Sequence, residues 1–156
     1  NGLEVIESND RIDTITICGM GGDLIARILD AGFEEGKLDN VKRLILQPNN
    51  AEMKLRHWLT DNNFEIMTET ILEENSKIYE IIIAEPATEV SKLSSEDYLF
   101  GKFLRSEKNA IFVRKWESEI QKYEYILRSL EQSHRDIAEK KAEVLRMIEI
   151  IEEEIK

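Results

Sequence analysis

The apolar positions of this chain change period several times, and each change marks an element. Asp13-Thr14-Ile15-Thr16-Ile17-Cys18 is a short β-branched run, which predicts a strand buried on both faces. Gly19-Met20-Gly21-Gly22 interrupts it, and Leu24, Ile25, Ile28 and Leu29 then recur at helical spacing. Arg43-Leu44-Ile45-Leu46 predicts a second strand, stopped by Gln47-Pro48-Asn49-Asn50. Residues 51–62 read as a helix with Met53, Leu55, Trp58 and Leu59 apolar, Asn50 as its N-cap and Asn62-Asn63 as its stop. Residues 64–72 alternate apolar and polar, Glu74-Asn75-Ser76 is a turn, and residues 77–85 are an isoleucine-rich strand. Two strands joined by a short polar turn form an antiparallel hairpin. The βαβαββ order puts that hairpin at one edge of an otherwise parallel sheet.

Residues 86–95 are polar and irregular, and beyond them the period becomes that of long helices. Phe112, Trp116, Ile120, Tyr123, Leu127 and Leu130 are spaced 4, 4, 3, 4 and 3 apart, close to a heptad stripe. The pattern weakens over residues 129–135, where the chain is expected to reverse. Ile137, Val144, Ile148, Ile151 and Ile155 make a second stripe, with Lys141 intruding. Each stripe is too narrow to be stable alone in water, so the two predict an antiparallel helical hairpin. The expected organisation is an α/β domain over residues 1–87 and a helical hairpin or coiled-coil domain over residues 96–156.

Composition narrows the class. With 42% hydrophobic and 34% charged residues, the chain reads as globular and not as disordered. No apolar run approaches the ~20 residues that cross a bilayer, so no membrane partner is expected. A single cysteine, Cys18, leaves no internal disulfide framework and fits a reducing cytoplasm. The net charge of −11 is unevenly spread: residues 101–135 are the one stretch with a basic surplus, of +3. RNA contact and a salt-bridged, solvated helix face both account for that surplus.

The bends after the first two strands carry the candidate chemistry, because open α/β sheets bind ligands beyond the carboxyl ends of parallel strands. Gly19-Met20-Gly21-Gly22 reads either as a tight strand-to-helix turn or as a loop against which a ligand lies closely. It fails the G-x-G-x-x-G pattern because Leu24 holds the third glycine position, and Gln47 stands where an acidic residue would end the next strand. A nicotinamide cofactor is therefore disfavoured. Gln47 and Asn49 could pair with the edge of an adenine, since an amide offers a donor and an acceptor together; the alternative is a turn and helix cap. His57 and His134 have no ligand-spaced neighbours, so no metal site is expected. Cys18, Trp116 and Tyr123 read as packing residues.

Several of these stretches together resemble the bacterial tRNA (adenine(22)-N1)-methyltransferase family: residues 14–29, residues 43–50, Arg56-His57-Trp58-Leu59 and Lys77-Ile78-Tyr79-Glu80-Ile81. Phe100-Gly101-Lys102-Phe103-Leu104 and Glu107-Lys108-Asn109-Ala110 extend the likeness into the tail. The resemblance implies the C-terminal half of a Rossmann-like methyltransferase sheet with an antiparallel edge hairpin, followed by an α-helical coiled-coil hairpin. It implies S-adenosyl-L-methionine as cofactor, methyl transfer to N1 of an adenine, tRNA as partner and a cytoplasmic location. It places Gly19, Met20, Gly21 and Gly22 between the cofactor's methionine end and the base, with Gln47 and Asn49 in the catalytic role of orienting the base. Pro48, Asn50 and Tyr79 fall on the substrate side, and Lys102, Arg105, Lys108, Arg114 and Lys115 would hold the tRNA body. It also places the principal cofactor-binding strand and loop upstream of Asn1. The sequence shows no candidate for that loop, and the chain is expected to be a fragment lacking it. A reading from a different class is a non-catalytic interaction module, with the helical hairpin mediating homo-oligomer or partner contacts.

Overall fold

The computed structural model describes residues 2–7, 9–131 and 138–156. They divide into two compact units, residues 1–106 and residues 107–156. The first unit holds strands β1 (Thr14–Met20), β2 (Arg43–Pro48), β3 (Phe64–Glu74) and β4 (Lys77–Pro86), with helices α1 (Gly22–Glu34), α2 (Glu52–Asp61) and α3 (Ser95–Phe100). Helix α4 (Lys102–Glu107) runs up to the division, and α5 (Ala110–Glu131) and α6 (Ala138–Ile155) lie in the second unit.

The sheet order is β1-β2-β4-β3. β1 and β2 are parallel, β4 runs antiparallel to β2, and β3 and β4 form the hairpin. Asn75 and Ser76 both take positive φ at its turn, the conformation that matches strand twist in a two-residue connection. One sheet face carries the core: Ile15, Ile17, Leu44, Leu46, Ile82 and Ala84 pack with Ile25 and Leu29 of α1 and Leu55 and Leu59 of α2. Each fully buried side chain of this kind contributes about 1.5–3 kcal/mol, which suffices to dock both helices.

β1 departs from the expectation of two-faced burial. Only Ile15 and Ile17 are buried; Thr14, Thr16 and Cys18 are exposed, so Cys18 is not a packing residue. β1 pairs with β2 alone, and among the described residues α1 and α2 cover one face of the sheet. Asn50 does not cap α2 either. The N-cap is Ala51 in the left-handed region at φ 55°, with no side-chain cap bond.

β3 changes its inward parity part-way. A bulge between Ile66 and Thr68 shifts the register, so burial passes from Phe64 and Ile66 to Glu69 and Ile71. That shift brings the Glu69 carboxylate onto the helix-covered face, beside Glu80 of β4. Arg56 of α2 meets both: Nε is 2.6 Å from Glu69 Oε1 and Nη2 is 2.6 Å from Glu80 Oε2, all three side chains being buried. Arg56 Nη1 also donates to the carbonyls of Tyr98 and Leu99, and Glu69 Oε2 accepts the Phe103 N–H at 3.1 Å. A side chain at Gly101 would collide with this cluster, its Cβ falling 2.7 Å from Arg56 Nη2. Burial alone would push the Arg56 guanidinium down, but Glu80 and Glu69 hold its pKa above the ordinary arginine value. The cluster ties α3 and the first turn of α4 to the sheet unit. Hence the compact division falls at Ser106, whereas the sequence reading began the helical domain at residue 96.

In the second unit, Phe112, Trp116, Val144 and Ile151 are buried, and Lys108 Nζ lies 3.8 Å from Glu154. The approach to α5 therefore sits beside the end of α6. The expected reversal over residues 129–135, with Ile137 and His134, falls largely on residues outside those described.

Arg56→Met is expected to destabilise the fold by about 3–5 kcal/mol, because it strands two buried carboxylates. Glu80→Gln should cost less, since an amide oxygen still accepts from Arg56. Urea denaturation of both variants checks the order; equal stability of Arg56→Met and wild type would contradict it.

Candidate active site at two adjoining bends

The parallel register sets Cys18 beside Gln47 and Met20 beside Pro48, with an irregularity at Gly19 between them. The bends that follow β1 and β2 thus begin side by side. Gly19 has φ +76°, a region that L side chains rarely adopt, and its amide turns out of the ladder to donate to Gln47 Oε1 at 2.8 Å. Two backbone bonds lock the bends further: Asn49 N–H donates to Met20 O at 2.7 Å, and Gly22 N–H donates to Asn50 O at 2.8 Å. Gly22 is required by close approach. A Cβ there would lie against the Ala51 carbonyl and 2.8 Å from the Asn50 carbonyl.

The open side of this junction is at Gly19, where an added Cβ would meet nothing within 4 Å. Gly19, Met20, Asn49 and Asn50 are exposed, Gly21 and Gln47 are half-buried, and Gly22 and Pro48 are buried. Asn50 lies over Gly21, its Oδ1 2.8 Å from where a Cβ would stand. The structure therefore brings Gly19, Met20, Gly21, Gly22, Gln47, Pro48, Asn49 and Asn50 together at the carboxyl ends of β1 and β2. Tyr79 is half-buried on β4; the Ile45–Ile83 pairing puts it on the same sheet face as Gln47, past the end of the β2–β4 register.

The basic residues are distributed differently. Lys102 and Arg105 lie on α4, in the first unit. Arg105 is engaged with Asp97 at 3.0 Å, beside the capping box in which Ser94 and Asp97 exchange bonds. Lys102 Nζ stands 5.7 Å from the Phe103 ring centre. Lys108, Arg114 and Lys115 belong to the second unit, where Lys115 Nζ lies 5.2 Å from the Trp116 ring centre. No group of three or more His, Cys, Asp or Glu side chains among the described residues could hold a metal ion, and His57 is stacked on Tyr98 at 3.7 Å.

Two features escaped the sequence reading. One is Glu69, the third member of the buried cluster; in the alternating run it looks as solvent-facing as Glu65, and the parity change hid the difference. The other is the Lys54–Asp23 pair, at 3.0 Å, which joins the first turns of α2 and α1. Nothing in local spacing foretold it, since the partners are 31 residues apart.

Known proteins resemble this chain in sequence and in fold. The family model described as tRNA (adenine(22)-N(1))-methyltransferase matches residues 1–153. The Bacillus subtilis (strain 168) tRNA (adenine(22)-N(1))-methyltransferase is 42% identical over 137 residues, covering 85% of this chain and 56% of that relative. The chain thus spans little more than half the length of that curated relative. Streptococcus pneumoniae Sp1610, solved in complex with S-adenosyl-L-methionine, superposes with a TM-score of 0.88 at 46% identity, over 100% of this chain and 66% of that one. A Streptococcus agalactiae protein of the NADB-Rossmann superfamily gives 0.89 at 42% identity, over 100% and 65%. The fold is Rossmann-like, with a mixed sheet and flanking helices. With the match running through both bends and on into α6, the chain belongs to the tRNA (adenine(22)-N(1))-methyltransferase family.

Proposed function

We propose that this chain forms the methyl-acceptor side of an S-adenosyl-L-methionine-dependent enzyme that methylates N1 of an adenine in tRNA, working in the cytoplasm. The observation that carries the reading is the meeting of the two bends at the ends of β1 and β2, joined by the bond from Gly19 N–H to Gln47 Oε1. Residues 1–87 are read as the C-terminal half of the methyltransferase sheet. The free edge of β1 and its exposed Thr14, Thr16 and Cys18 support this, as do the reversed β4 and the edge position of β3. Residues 96–156 are read as the helical, coiled-coil part, supported by the buried stripe of α5 and α6. Self-association through these helices is supported by the exposure of Tyr125, Ile126 and Leu145.

The residues present fit the cofactor's methionine end, because Gly19 leaves open space where any side chain would intrude. When bound, S-adenosyl-L-methionine supplies an electrophilic methyl group, taken up in line by the N1 lone pair as the carbon–sulfur bond breaks. The positive charge passes with the methyl group from sulfur to the adenine ring, so no proton need leave for the transfer to balance. N1 carries its own lone pair, so the chain need not supply a strong base, and positioning provides most of the acceleration. An adenine paired in a duplex has N1 blocked, so the base must enter unpaired or extruded. Gly19, Met20, Gly21 and Gly22 shape the slot; Gln47, Pro48, Asn49 and Asn50 form its base side, with Tyr79 on the adjoining face. Lys102, Arg105, Lys108, Arg114 and Lys115 contribute positive charge toward the phosphate backbone, Arg105 and Lys108 less so because Asp97 and Glu154 engage them.

The full-length protein, given tRNA and methyl-labelled S-adenosyl-L-methionine, should yield labelled 1-methyladenosine on nucleoside digestion. Label in another nucleoside, or none, would contradict the reading. Charge reversal at Lys102 and Lys108 should weaken tRNA binding and lower the salt slope by about one unit per lost phosphate contact. An unchanged affinity and slope in a binding titration would remove both lysines from the RNA surface.

A further inference from the structure

We propose that Gln47 is a positioning residue whose amide sets the orientation of Asn49, and that Asn49 is the group that meets the base, through its NH2. The inference rests on the proposed methyl transfer and deepens it. Its basis is a chain of hydrogen bonds that begins on groups whose polarity cannot change. The Gly19 N–H can only donate and the Pro48 carbonyl can only accept. Gln47 lies between them, Oε1 2.8 Å from Gly19 N and Nε2 3.0 Å from Pro48 O. Rotating this amide by half a turn would set carbonyl against carbonyl and NH2 against N–H, so one orientation is imposed. Its second N–H then meets Asn49 Oδ1 at 3.0 Å.

The orientation of Asn49 follows from that of Gln47. Its oxygen is turned to Gln47, and its backbone is pinned by the bond from its N–H to Met20 O. The donor that this exposed side chain turns away from Gln47 is its NH2. Both N–H groups of the Gln47 amide are already engaged by the protein, so Gln47 has no donor left for the base. A donor at this place requires an acceptor on the substrate. In an adenine whose N1 lone pair is committed to the methyl group, the remaining ring acceptors are N3 and N7. A bond to either leaves N1 free and fixes the ring plane against the methyl-transfer slot.

The test uses the full-length protein, with initial rates of 1-methyladenosine formation and calorimetric binding of S-adenosyl-L-methionine. Asn49→Ala and Asn49→Asp should each lower kcat by about tenfold or more, the aspartate because it has no donor. Gln47→Glu, which keeps the acceptor for Gly19 and loses both donations, should lower kcat by a similar factor alone, yet add nothing in the Asn49→Ala background, while cofactor affinity stays within about twofold. Gln47→Ala loses the bond to Gly19 as well, so it should lower kcat at least as far and weaken cofactor binding too. A tRNA carrying 3-deaza- or 7-deazaadenosine at the target identifies the acceptor: one of the two should slow the wild type and be insensitive to Asn49→Ala. Multiplicative losses in the double variant, an Asn49→Asp protein with undiminished kcat, or indifference to both deaza bases would overturn the inference while leaving methyl transfer intact. A wild type that makes no 1-methyladenosine overturns the functional reading and this inference together.

Discussion

The bond between the Gly19 amide and the Gln47 side chain is the constraint on which the site depends. A parallel strand pair delivers two bends to the same edge of the sheet, but it does not by itself hold them at one height or shape. Gly19 leaves the regular ladder at positive φ, and its exposed N–H has no ladder partner there. Gln47 accepts it and in the same stroke fixes Pro48 and Asn49 through its own donors. The backbone bonds from Asn49 to Met20 and from Gly22 to Asn50 then make the two bends one unit. An arrangement with so few rotatable elements suits chemistry in which positioning contributes most of the rate.

A second constraint lies away from these bends. Arg56, Glu69 and Glu80 form a buried cluster with one more negative than positive charge, and a hydrophobic replacement of similar volume would often be as stable. What the ionic version adds is direction. Its remaining bonds go to Tyr98, Leu99 and Phe103, so the cluster specifies where the chain turns at Gly101 as it leaves the sheet. Three stretches that carried the family likeness, around Arg56, Glu80 and Gly101, meet at this one point.

Much of the first unit was legible because its periods are unambiguous. The alternation from Phe64, the β-branched run at Thr14 and the helical spacing of Leu24 to Leu29 each admit one reading, and the glycine bend and amide bend were located before their contact was known. The failures have physical causes. β1 looked buried on both faces because Thr14, Thr16 and Cys18 are small and β-favouring, and composition does not tell a covered face from an uncovered one. Glu69 was invisible because a bulge reversed strand parity between Ile66 and Thr68. Asn50 looked like a cap, yet Ala51 took the left-handed turn instead, a choice fixed by the packing of Gly22 beneath the bend. The roles within Gln47-Pro48-Asn49 could not be assigned either, since amide pairing depends on a partner 28 residues away.

Amide hydrogen exchange at Gly19 tests the central claim most directly. Gly19 is exposed and lies outside the regular ladder, so its protection must come from the Gln47 side chain. In the full-length protein its exchange should be slowed at least about tenfold relative to an unstructured peptide, and Gln47→Ala should abolish that protection while amides in β2 keep theirs. Fast exchange at Gly19 in the wild type, or protection that survives loss of the Gln47 amide, would contradict the account.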